Sequence, residues 1–144
     1  MADIRILTPG DASVLDRVDP DVFDEPVDPR RASEFLGDPR HHLAVALDDG
    51  MVIGMASAVH YVHPDKSPEL WINEVGVAAM HQRRGIARQL LQALFARGRT
   101  LGCVQAWVLA DQSNTGARRL YASAGGHAAP EPCIMIEFPL ADAT

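Results

Sequence analysis

The stretch from Glu69 to Ala87 constrains this chain more than any other. It opens with a pattern suited to a strand, Glu69-Leu70-Trp71-Ile72-Asn73-Glu74-Val75-Gly76-Val77, and soon reaches a basic turn, Gln82-Arg83-Arg84-Gly85-Ile86-Ala87. The apolar period then becomes helical, with Ile86, Leu90, Leu91, Leu94 and Phe95 on one face and Arg88, Gln89, Gln92 and Arg99 elsewhere. A glycine turn that opens a helix leaves the first helical amides free, and Gly85 has no side chain to obstruct them. Such a turn is an anion cradle suited to a pyrophosphate, and Arg83 and Arg84 add positive charge. Taken alone, it also fits a plain helix start with a surface arginine pair. It is not a Walker loop, since no Gly-Lys-Ser/Thr follows, and it lacks the three-glycine dinucleotide fingerprint.

The flanking segments supply the rest of an α/β pattern. Ile4 to Leu7 reads as a short strand ended by Thr8-Pro9-Gly10-Asp11, a turn and helix start. Pro20, Pro26 and Pro29 break the region from Val14 to Asp38 into short helices and turns. Leu43 to Leu47 is a strand, Asp48-Asp49-Gly50 a hairpin turn, and Met51 to Val62 the returning strand. Gly98 and Gly102 bracket the end of the helix that begins at Ile86. Val104 to Leu109 is a further strand, Ala117 to Ala124 a second amphipathic helix closed by Gly125-Gly126, and Cys133 to Phe138 a closing strand. The order predicts an α/β sandwich with a mixed sheet.

A chain of 144 residues and 15.6 kDa has room for one ordinary domain, spanning 1–144. With 47% hydrophobic and 22% charged residues it is a folded globule rather than a disordered chain. No stretch approaches the ~20 apolar residues that cross a bilayer, and Met1 to Gly10 lacks the charge pattern of a secretory signal. The expected location is therefore the cytoplasm, with no membrane partner. Thirteen basic against 19 acidic residues give a net charge of −6, which argues against nucleic acid as a partner. The acids concentrate early: Asp19, Asp21, Asp24, Glu25, Asp28, Glu34 and Asp38 meet only Arg30 and Arg31. This segment is either a solvated surface or a place for a cationic partner. Cys103 and Cys133, each in an apolar run, read as buried free thiols. His60 and His63 point to opposite faces of a strand, poor geometry for a shared metal, and no metal is expected. His81 is read as facing solvent, and Trp71 and Trp107 as packing against the sheet.

A second motif, Asn114-Thr115-Gly116-Ala117-Arg118-Arg119-Leu120-Tyr121 with Ala124-Gly125-Gly126, follows the strand after the basic turn. Together the two stretches resemble the GNAT superfamily of acetyl-CoA-dependent N-acetyltransferases. Gln82, Gly85 and Ala87 match that family's Gln/Arg-x-x-Gly-x-Gly/Ala loop. Asn114, Ala117, Leu120, Tyr121 and Gly125 match its Asn-x-x-Ala-x-x-Leu-Tyr-x-x-x-Gly helix. The resemblance covers roughly residues 43 to 140.

The resemblance implies a mixed, mostly antiparallel sheet flanked by helices and splayed at its middle, between the strand ending at Val77 and the strand beginning near Val104. Acetyl-CoA would be the cosubstrate, its pantetheine arm paired with backbone near Val75 and Val77. Its pyrophosphate would rest on Gln82, Arg83, Arg84, Gly85, Ile86 and Ala87, with Asn114 and Tyr121 at the pantetheine end. Glu74 would be the general base and Tyr121 the acid that protonates the departing sulfur. Within the superfamily, residues 69–77 and 81–87 look most like aminoglycoside 3-N-acetyltransferases, although that family tends to carry Asp where this chain has Glu74. Glu74, Asp111 and Glu137, with Glu131 and the acidic early segment, are the carboxylates expected to hold a small polycationic amine. The alternatives are a peptide or small-metabolite N-acetyltransferase and, from another class, a non-catalytic acetyl-CoA-binding module. A homodimer is expected from the family's habit and the apolar closing strand.

Overall fold

The computed structural model describes residues 2–142. Five strands, β1 (Asp3–Ile6), β2 (His41–Asp48), β3 (Met51–Tyr61), β4 (Glu69–Val77) and β5 (Ala106–Val108), form one sheet in sequence order. The first three pairings are antiparallel, and β4 with β5 is parallel. The helices are α1 (Pro29–Gly37), α2 (Ile86–Thr100) and α3 (Thr115–Ser123), with 3₁₀ turns at Pro9–Asp16 and Ala79–His81. This is the expected mixed sheet flanked by helices.

Local chemistry accounts for the boundaries. Asp49 and Gly50 both adopt positive φ, 51° and 79°, in the two-residue turn that a tight hairpin requires. Thr8 and Asp11 form a capping box on the first 3₁₀ segment. Asp28 caps α1 through Arg30 N, with Pro29 as the first helical residue. Gly125 N donates to Ala122 O and Gly126 N to Tyr121 O, a Schellman end to α3.

Two cores lie on opposite faces. Ala44, Ala46, Ala56, Ala58, Leu70 and Ile72 pack under Ile86, Leu90, Leu91 and Leu94 of α2. Leu43, Val45, Val52 and Met55 pack against Leu15, Val22 and Leu36 of the early segment. The register shifts opposite Asn73, where Ser57 pairs with Glu74 but Ala58 pairs with Ile72. This bulge resets the alternation: Leu70 and Ile72 face α2 before it, and Val75 and Val77 pack on that side after it. Glu74 and Gly76 therefore turn to the opposite face. Beyond Ile72↔Val108, β4 continues for five residues with no pairing to β5. The strands part there, and that edge of β4 is left open.

Two expectations are corrected. Cys133 to Phe138 is not a strand: the segment stands off the sheet, with Ile134 84% and Phe138 78% exposed. Apolar alternation makes a strand only where an edge pairs with it, and β5 offers three residues. Cys133 is accordingly exposed rather than buried, while Cys103 is half-buried and its thiol is pushed up by burial.

On the α2 face, buried His42 lies 2.8 Å from His60, Nε2 to Nδ1. Burial, and then the neighbouring His60 and Arg97 charges, push His42 down from 6.5 to about 4. The folded state thus resists a proton that the unfolded chain accepts. Stability should be highest above pH 6.5 and fall by roughly 1–3 kcal/mol as pH drops through the window to 4. Urea midpoints at pH 7 and 4.5 test this, and His42→Leu should flatten the dependence.

Candidate functional site

The basic turn sits where the strands part. Gly85 occupies the cap position of α2 in the left-handed region, φ 77°, and Arg83 also has positive φ, 64°. Two left-handed residues in a three-residue stretch curl the backbone so that successive amides reach the helix axis, a concavity for an anion. The first amides of α2 lack intrahelical acceptors, and the helix dipole adds partial positive charge. An added Cβ at Gly85 would meet no atom within 4 Å, so glycine is demanded there by φ and not by crowding. Arg83 and Arg84 are exposed, with Arg84 Nη1 2.7 Å from His81 Nδ1, so His81 is partly covered by the turn. Gln82 Nε2 donates to the Val77 carbonyl at 3.1 Å and ties the turn to the end of β4. The arrangement suits a pyrophosphate.

On the opposite face of the sheet, Glu74 opens into a groove of about 430 Å³ whose walls include Asp21, Val22, Asp24, Met55, Gly76 and Gln82. Gly76 makes this groove possible. A Cβ there would run into the Val22 carbonyl, so only glycine lets the early loop lie directly on β4. Asp21 Oδ2 accepts from Ala79 N at 3.4 Å, holding the loop to the chain just after the strand. Three carboxylates thus share one groove beside the parted strands. Asp21 and Asp24 were visible in the sequence only as members of an acidic run; the signal that could have singled them out is a glycine inside a strand pattern.

Asn114 and Tyr121 belong to α3 and its cap, and α3 packs on the α2 side of the sheet. Asn114 caps α3, its Oδ1 accepting from Ala117 N at 3.0 Å, which leaves its amide donors available. Tyr121 is half-buried against the α2-side core, and burial pushes its phenol up from 10, so it is protonated at neutral pH. Asp111 lies on the exposed loop after β5, its carbonyl accepting from Asn114 N. Glu131 and Glu137 are on the exposed C-terminal segment, and none of these three lines the groove. Among the described residues no group of three His, Cys, Asp or Glu side chains is placed to hold a metal ion, and no helix is long and apolar enough to cross a membrane.

The sequence profile of the acetyltransferase (GNAT) family matches residues 12–125, and the chain belongs to that family. Curated relatives include uncharacterized N-acetyltransferases of Mycobacterium bovis and Mycobacterium tuberculosis, each 28% identical over 95 residues. That match spans 66% of this chain and 58% of each relative's length. Among solved structures, the fold is similar to an aminoglycoside acetyltransferase from an uncultured soil metagenomic sample, in complex with trehalose, with TM-score 0.83, 20% identity and 96% of both chains covered. It is also similar to aminoglycoside N-acetyltransferase AAC(6')-Iy in complex with CoA, with TM-score 0.75, 22% identity and 95% of both chains covered. A ribosomal-protein-alanine N-acetyltransferase from Brucella melitensis aligns with TM-score 0.73 and 21% identity, over 96% of this chain and all of that one. At such identities the likeness is one of fold.

Proposed function

We propose that this chain, as a single domain, transfers an acetyl group from acetyl-CoA to a primary amine of a small polycationic acceptor, an aminoglycoside at its 3-amino group. The observation that carries the reading is the groove that unites Glu74 with Asp21 and Asp24 next to the cradle at Gln82. Carboxylates spaced along a groove suit an acceptor with several ammonium groups. The aminoglycoside acetyltransferases of similar fold support the substrate class. The 3-amino position rests on the resemblance of residues 69–77 and 81–87. A reaction fed by acetyl-CoA is placed in the cytoplasm.

In this reading Gln82 to Ala87 hold the pyrophosphate on their amides, and the open edge at Val75 and Val77 pairs with the pantetheine arm. Asn114 donates to its far end. Glu74 removes a proton from the acceptor ammonium, whose ordinary pKa is near ~10.4, so that the free amine can attack the thioester carbonyl. The C–N bond forms, the C–S bond breaks, Tyr121 donates its proton to the leaving sulfur, and the second proton of the acylated nitrogen returns to the Tyr121 phenolate as the amide forms. Asp21 and Asp24 hold the acceptor's remaining ammonium groups. Asp111 and Glu137 serve only if the loop after β5 and the C-terminal segment close over the acceptor. The exposed Ile134, Met135, Ile136, Phe138 and Leu140 make that segment the contact of the proposed homodimer.

Thiol release from acetyl-CoA across a panel of amines tests the proposal. Kanamycin-like and gentamicin-like drugs should be turned over, with product position read by NMR and with binding that weakens as salt screens the ion pairs. Turnover of an N-terminal peptide or spermidine alone would promote the alternative that the ribosomal-protein-alanine enzyme's fold keeps open. Absence of any thiol release would leave a binding module.

A further inference from the structure

The chain's two tryptophans do not pack into either core. Trp71 and Trp107 are register partners on β4 and β5, one row before the strands part. Their rings stack at 5.4 Å between centroids, 14° from parallel. Tyr61, 41% exposed at the end of β3, stacks on both at 6.3 Å. His63 extends the stack over Tyr61 at 6.1 Å, and its Nε2 lies 3.0 Å from Glu69 Oε2. The result is an aromatic floor on the face where Glu74 opens, immediately below the parting.

Packing alone does not account for this floor. Burying an aromatic ring is what normally repays its ordering, yet here three rings cover one another and leave a face half-open. The strands that carry it hold charge of one sign: β3, β4 and β5 contain no Lys or Arg, and Glu69 and Glu74 stand at either end of the floor. An electron-rich ring face between carboxylates attracts a cation that also presents a flat apolar side. We propose that Trp71, Trp107 and Tyr61 form the specificity platform of the acceptor site, on which an amino-sugar ring of the substrate stacks while its reacting amine lies beside Glu74. This deepens the reading of the same site as an aminoglycoside acetyltransferase and rests on it.

Because both tryptophans belong to the platform, intrinsic tryptophan emission reports on it directly. Titration of the wild-type chain with kanamycin should change the emission saturably, whereas spermidine, cationic but without a ring, should leave it unchanged. Tyr61→Leu should raise the kanamycin KM about 3- to 30-fold, and Tyr61→Phe, which keeps the ring, should restore it. Should Tyr61→Leu fail to fold, Trp107→Leu against Trp107→Phe gives the same comparison. If kanamycin is acetylated with no change in emission, or if spermidine shifts it equally, the platform is overturned while the acetyltransferase reading stands. If kanamycin is not acetylated but another ring-bearing amine both reacts and shifts the emission, the platform stands and the substrate class falls. A panel in which no ring-bearing amine alters the emission overturns the platform whatever the turnover.

Discussion

Glu74→Gln is expected to lower turnover about 10²- to 10⁴-fold, because the amide keeps the shape of the carboxylate and cannot take a proton. Glu74 lies one residue past the bulge, exposed on the groove face, and no other carboxylate of the groove belongs to β4. The defect should fall on kcat more than on acetyl-CoA affinity, since the cradle is on α2 and its preceding turn. The pH profile is the sharper measurement. The acid limb of kcat/KM for the wild type should be lost in the variant, and an unchanged limb would remove Glu74 from the base role. Tyr121→Phe belongs to the same experiment, with reduced turnover and little change in acetyl-CoA binding. Full turnover in that variant would leave Tyr121 as a packing residue.

Gly76→Ala is expected to damage both the fold and the site. The added methyl would run into the Val22 carbonyl, backbone that cannot swing aside as a side-chain tip could. Overpacking of this kind costs about 1–3 kcal/mol. The loop carrying Asp21 and Asp24 must then lift from β4, so the KM for a polycationic acceptor should rise while acetyl-CoA binding at the cradle persists. Urea denaturation and steady-state kinetics on the same preparation separate the two effects. A variant with wild-type midpoint and wild-type KM would show that the loop contact has no part in acceptor binding.

Much of the architecture was legible in the chain because it depends on local chemistry. The hairpin at Asp49-Gly50, the strand from Glu69 to Val77, the helix opened by Gly85 and the helix closed by Gly125-Gly126 are each specified within a few residues, by positive φ, periodicity and capping. The geometry of the basic turn was legible for the same reason: its glycine and arginines are neighbours in sequence. The C-terminal segment was not, because the alternation of Cys133 to Phe138 says nothing about whether an edge waits for it.

The groove and the aromatic floor were decided by tertiary structure. Asp21 and Glu74 are more than fifty positions apart, and only the close approach of the loop at Gly76 brings them together. The bulge at Asn73 turns Glu74 toward the loop, and strict alternation across it would misplace every later side chain of β4. Trp71 and Trp107 stack because parallel pairing sets them side by side, a consequence of register and not of spacing. Most of the elements and the basic turn at Gln82 to Ala87 thus follow from residues within one turn of chain, while the C-terminal segment does not. Which carboxylates face one another, and what floor lies beneath them, depended on long-range register and on one glycine's lack of a Cβ.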